Sequence, residues 1–188
     1  DVQEGNAVAA VVERVALSHP EISFQFIREG QTRIHTPGDG KLLSAIHAVY
    51  GPEFTRDLAA ADYTAGQIHV EGYIALPVAS RSNRTMQTFF VNGRYVKSGT
   101  ARAALEEAYK HSIMVGKFPA CVLNLSIPFT ETDINVHPAK IEVRFTNERP
   151  VFDAVYYAVK DALSREDYTP VPKQTKKPMT VFDLQRQP

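Results

Sequence analysis

The residues best suited to chemistry lie in one stretch, "TDINVHPAKIEVRF", residues 132–145. A proline pushes the residue before it toward extended backbone, so Pro138 keeps His137 out of a helix and stiffens the loop that carries Lys140. Lysine is a compact charge with three donors, a good match to a terminal phosphate. Ile141, Val143 and Phe145 then alternate as a strand with a buried apolar face. Arg144 falls out of phase with that face and is not counted among the candidate sites. Residue types alone leave two readings of Lys140 open: a solvated lysine at a strand start, or a phosphate ligand aimed by a rigid loop.

The other chemical candidates are weaker. "TPGDGK" (residues 36–41) sets two glycines beside a lysine. It lacks the GxxxxGK[ST] spacing of a phosphate-cradling loop, no GxGxxG occurs elsewhere, and the stretch reads as a strand-to-helix turn. The six histidines (His19, His35, His47, His69, His111 and His137) are widely spaced, and there is no HExxH. No metal site and no nucleophile–base pair is expected from them. The single cysteine, Cys121, can close no intramolecular disulfide. Its apolar setting, "PACVLNLSI", makes it a small buried hydrophobe, in keeping with a reducing intracellular compartment.

Charge is unevenly spread although the formal net charge is zero. Residues 1–80 carry five basic against ten acidic side chains, whereas residues 81–117 carry seven basic against two acidic. A basic middle hints at an anionic partner. The plainer alternative is a solvated surface balanced by acids elsewhere in the fold.

The elements that must position these residues follow from periodicity. A helical stripe of Val8, Val11, Val12, Val15 and Ala16 opens the chain. A hairpin follows, with Ile22, Phe24 and Phe26 on one face and a turn at Glu29-Gly30. "KLLSAIHAVYG" is a helix stopped by Gly51, and residues 51–62 read as a short helix or irregular piece. Ile68, Val70, Gly72 and Ile74 line one face of a strand. Asn92-Gly93 predicts a tight type I′ hairpin, because both central residues of that turn need positive φ. A helix capped by Thr100 carries Ala101, Ala104, Leu105, Ala108 and Ile113 on one face. A strand at 120–129 has Cys121, Leu123 and Leu125, or the even set, inward. The last helix begins after Asn147, tolerates Pro150 in its first turn, and buries Val151, Phe152, Val155, Val159 and Leu163. After Leu163 the proline- and lysine-containing tail reads as a linker, in which "MTVFDLQ" is a weak docking motif. Mixed strands and helices imply an α+β fold with one mixed sheet. At 188 residues the chain reads as one domain with a tail. No apolar run is long enough to span a bilayer. The opening residues do not read as a signal peptide and hold no initiator Met, so the chain reads as a piece of something longer.

"FFVNGRYV" followed by "DINVHPAKIEVRF" closely resembles the MutL family of DNA mismatch repair proteins. "TPGDGKLLSAIHAVYG" and "FPACVLNLSIP" fit it too. The resemblance covers about residues 1–165, with 166–188 as the start of a flexible linker to a dimerisation domain. It implies the second, transducer lobe of an N-terminal GHKL ATPase region, with a fold like ribosomal protein S5 domain 2. The ATP-lobe motifs are missing, so ATP and Mg²⁺ are expected to be held mainly by a lobe outside this chain, and the fragment is expected to be inactive alone. By the same resemblance Lys140 reaches the ATP γ-phosphate. Basic residues of this lobe line a DNA groove, for which Arg94, Lys97, Arg102 and Arg149 are the candidates. Gly99 stands where a relative carries arginine. The implied partners are DNA, the chain's own ATPase lobe, a second copy of the parent, and the mismatch-recognition protein MutS. The implied location is the bacterial cytoplasm, near the nucleoid. A standalone nucleic-acid-binding or structural module of the same fold is the alternative.

Overall fold

The computed structural model describes residues 2–133 and 141–165. Among these residues five α-helices and nine strands follow in the order α1 (Val2–Ser18), β1 (Gln25–Arg28), β2 (Gln31–His35), α2 (Leu42–Tyr50), α3 (Pro52–Arg56), β3 (Leu58–Ala65), β4 (Ile68–Ala75), β5 (Gln87–Val91), β6 (Arg94–Val96), α4 (Gly99–Ala108), β7 (Cys121–Ser126), β8 (Thr132–Asp133), β9 (Arg144–Phe145) and α5 (Glu148–Arg165). The main sheet has the order β3-β4-β7-β5-β6. Its pairings are antiparallel except β5 with β7, which are parallel. The fold is therefore α+β with a mixed sheet packed against helices.

Both faces of the sheet are used. Cys121, Leu123 and Leu125 of β7 join Ile68, Val70 and Ile74 of β4 under α4 and α5. Val122, from the even set, joins Phe90, Leu17, Ile46 and Phe54 on the opposite face beneath α1 and α2. The two alternatives for the inward face of β7 are thus both realised, because the central strand is covered on both sides. Cys121 is wholly buried, and burial pushes its thiol well above the ordinary range. Tyr109, also wholly buried, donates its hydroxyl to the carbonyl of Ala75.

Several expectations need correction. Residues 58–65 form β3, a strand that the helix-favouring run "LAAADYTA" conceals. Its pairing with β4 along eight residues overrides the propensity of its alanines. Val8, Val11 and Val15 of α1 are 51%, 56% and 40% exposed, whereas Ala16 and Leu17 are buried. Of the predicted apolar stripe only Ala16 reaches the core, and Val8, Val11 and Val15 are turned outward. The α4 cap is Ser98, whose Oγ accepts from Ala101 N at 3.1 Å, and not Thr100. α4 ends at Ala108, so Ile113 lies beyond it. The strand expected at 141–145 shrinks to Arg144–Phe145: Phe145 is buried, but Ile141 is 39% exposed.

The "TPGDGK" stretch is a turn closed by its own acid. Asp39 accepts from Ser44 Oγ at 2.7 Å and from Lys41 N at 2.9 Å, and these two bonds hold its carboxyl below the usual range.

One close approach fixes the middle of the sheet. Gly72 in β4 has φ +139°, and a Cβ added there would lie 2.1 Å from the Val122 carbonyl oxygen of β7. No side chain fits between the two strands. Gly72→Ala should lower unfolding stability by about 3 kcal/mol, read from the urea midpoint at constant m-value.

Candidate functional site

The hairpin of β5 and β6 is the frame of the site. Asn92 and Gly93 have φ 49° and 80°, the left-handed pair that a type I′ turn requires. The Asn92 side chain is sewn to the end of β7: Nδ2 donates to Ile127 O at 3.0 Å, and Oδ1 accepts from Ile127 N at 3.0 Å. Gly93 N donates to Asn124 Oδ1 at 3.0 Å. The turn chemistry read from the sequence thus serves a tertiary joint as well as a local bend.

β6 runs into Lys97, whose backbone makes two bonds to the residues that follow position 140. Lys97 N donates to Ile141 O at 2.8 Å, and Val143 N donates to Lys97 O at 3.1 Å. β8 and β9 pair antiparallel, Thr132 with Phe145 and Asp133 with Arg144. Both flanks of 134–140 are therefore anchored. Lys140 itself, with His137 and Pro138, lies outside the described residues.

Beside this anchor is a cleft of about 340 Å³ lined by Lys97, Thr100, Arg102 and Arg144, with Glu142 and Glu148 at its wall. Lys97, Arg102 and Arg144 are all exposed. Among the described residues, ion pairs engage Arg84, Arg149 and Arg165; none engages Lys97, Arg102 or Arg144. Three cationic side chains without carboxylate partners on one concavity suit a polyanion that contacts them from outside.

The candidates from sequence separate here. Lys97 and Arg102 share the cleft. Arg94, exposed at the start of β6 opposite Val91, is not part of its lining. Arg149 pairs with Asp153 one turn on, Nε to Oδ2 at 3.2 Å. Arg144 was missed. Its only sequence signal was its phase against Phe145, which turns it toward solvent while Phe145 enters the core.

A second cleft, of about 470 Å³, lies between the end of α1 and the sheet and is lined by Asp62, Glu71, Tyr73 and Asn124 among others, with no Lys or Arg. This lining supplies no cation to meet a phosphate. Among the described residues there is no group of three His, Cys, Asp or Glu able to hold a metal, and no helix is long and apolar enough to cross a membrane.

Asn92→Ala removes two side-chain bonds and places alanine in a left-handed conformation. It should cost about 2 kcal/mol of stability, measured by chemical denaturation.

A family model described as the C-terminal domain of DNA mismatch repair proteins matches residues 46–164. The chain is similar to the DNA mismatch repair protein MutL of Agathobacter rectalis, at 40% identity over 179 residues, 91% of this chain and 28% of that protein. It is similar to MutL of Desulforudis audaxviator at 42% identity, over 89% of this chain and 30% of that protein. The chain thus spans under a third of the length of these curated relatives. Among solved structures, the N-terminal domain of a DNA repair protein superposes with a TM-score of 0.69 at 26% identity, covering 85% of this chain and 53% of that one. The Aquifex aeolicus MutL ATPase domain complexed with ADP shares the fold, with a TM-score of 0.52 at 15% identity over 81% of this chain and 48% of that one.

Proposed function

Because this chain belongs to the MutL family of DNA mismatch repair proteins, we propose that it is the transducer part of such a protein and couples nucleotide state to DNA contact. The observation that carries this reading is the pair of backbone bonds from Lys97 to Ile141 and Val143. They tie a residue of the basic cleft to the residue directly after Lys140.

In this reading a separate ATPase lobe holds ATP and Mg²⁺, and Lys140 completes the site from outside by meeting the γ-phosphate. A fixed cation there stabilises charge that develops on the transferring phosphoryl group. The large cleft, with Asp62 and Glu71 in its lining and no Lys or Arg, offers a nucleotide's phosphates no cation. The Aquifex relative, whose ATPase domain was solved with ADP, supports assigning nucleotide binding to the longer protein. Dimerisation of the parent, cooperation with MutS, and a place in the bacterial cytoplasm near the nucleoid belong to the same proposal. A standalone nucleic-acid-binding module remains the second reading, since the described residues of this chain by themselves line the basic cleft.

DNA contact is non-specific, made to phosphates, and centred on Lys97, Arg102 and Arg144, with Arg94 and Arg149 as outer contributors. Each phosphate contact adds about one counterion to the salt dependence. Single alanine variants at Lys97, Arg102 or Arg144 should therefore lower the slope of log affinity against log salt by about one each. Arg149→Ala should change it less, because Asp153 already neutralises that side chain. Fluorescence anisotropy with a short duplex reads this, and unchanged slopes for all three cleft variants would sink the DNA claim.

The lysine claim has its own test. With this chain joined to its ATPase lobe, Lys140→Ala should slow ATP hydrolysis about a hundredfold. Turnover and nucleotide affinity equal to wild type would remove Lys140 from the mechanism.

A further inference from the structure

Glu148 lines the basic cleft beside Thr100, Lys97, Arg102 and Arg144. Its Oε2 accepts from the Thr100 hydroxyl at 2.5 Å, and its Oε1 accepts from the backbone N–H of Phe145 at 3.2 Å. Thr100 belongs to the first turn of α4, where the N–H groups of Gly99 and Thr100 have no helical acceptor. Ser98 Oγ already serves Ala101 N. Gly99 and Thr100 line the same cleft as Lys97, Arg102 and Arg144. A phosphate seated there would claim the Thr100 hydroxyl that the carboxylate now holds.

We infer that Glu148 is a built-in competitor for phosphate in this cleft, a latch that a nucleic-acid phosphate displaces when it takes the Thr100 hydroxyl. The inference rests on the DNA-binding reading above and adds to it a regulating residue. The Thr100–Glu148 bond is a side-chain link between the start of α4 and the start of α5. Displacing Glu148 also frees the N–H of Phe145 in β9, which leads back to the segment clamped on Lys97. Phosphate binding is thereby exchanged against a specific tie between two helices, instead of adding to a rigid surface. Glu142, the other carboxylate of the cleft, makes no side-chain bond to Thr100 and provides the comparison: it repels phosphate by charge alone.

The experiment uses the full chain and a short fluorescent duplex at about 50 mM salt, where phosphate contacts dominate affinity. Glu148→Gln keeps the shape of the side chain and removes its charge. It should tighten binding at least about threefold more than Glu142→Gln does, since both lift one charge but only Glu148→Gln also weakens a charge-assisted bond to the hydroxyl. In a Thr100→Val background the excess should vanish, because no hydroxyl is left to compete for. Thermal melts of each variant establish that the folded state is being compared, and Glu148→Ala serves as the second variant if glutamine perturbs α5. Equal effects of the two glutamine variants, or an excess that survives Thr100→Val, overturn the latch while leaving the DNA reading intact. Absence of binding by the wild-type chain overturns that reading and the latch with it.

Discussion

The parallel pairing of β5 with β7 is the constraint on which the rest of the molecule depends. Antiparallel neighbours can be joined by a turn of two residues, but a parallel pair needs a crossover. Here the crossover is β6 followed by α4, and its length and direction place the first turn of α4 beyond the end of β6. Lys97, Thr100 and Arg102 owe their common position to that geometry. The same pairing buries β7 on both faces, so the sheet needs helices on both sides, and α5 completes one of those layers against β3 and β4.

The basic cleft is shaped by backbone bonds and charged by side chains, and these two contributions come from different parts of the chain. Its floor is α4 and the extension of β6. Its far wall is the segment from Ile141 to Glu148, held by the bonds at Lys97 and by the short β8–β9 ladder. The cations are exposed and screened by salt over roughly 8–10 Å at physiological ionic strength. They contribute little to stability. Glu148 differs from them because both of its oxygens are committed to hydrogen bonds, one to Phe145 in the wall and one to Thr100 of α4.

Much of the fold was legible in local chemistry. The Asn92-Gly93 turn, the stop at Gly51, the alternation through β4 and the apolar face of α5 all appear in the structure, because in each the local preference and the tertiary role agree. Where they disagree, the sequence misleads. The alanines of β3 favour a helix, yet they lie in a strand whose pairing with β4 outweighs their propensity. Ile141 and Val143 alternate like a core strand, yet only Phe145 is deeply buried, because Lys97 takes the backbone groups of that segment at the sheet's edge. Thr100 looks like a cap, yet Ser98 caps α4 and the Thr100 hydroxyl is released to meet Glu148. The family resemblance read from "FFVNGRYV" and "DINVHPAKIEVRF" agrees with the comparisons, and it settles the family without settling which arginines act.

The sequence by itself determined the family, the α+β class, the turn chemistry and the basic character of residues 81–117, because each is written in residue types at short range. Only the tertiary structure decided that Arg144 joins Lys97 and Arg102, that Arg149 is tied to Asp153, and that Glu148 reaches Thr100 across 48 positions of chain. The reason is physical. Spacing along a strand or helix says which way a side chain points, but which charges share a cleft depends on the crossover that folds distant segments onto one edge of the sheet.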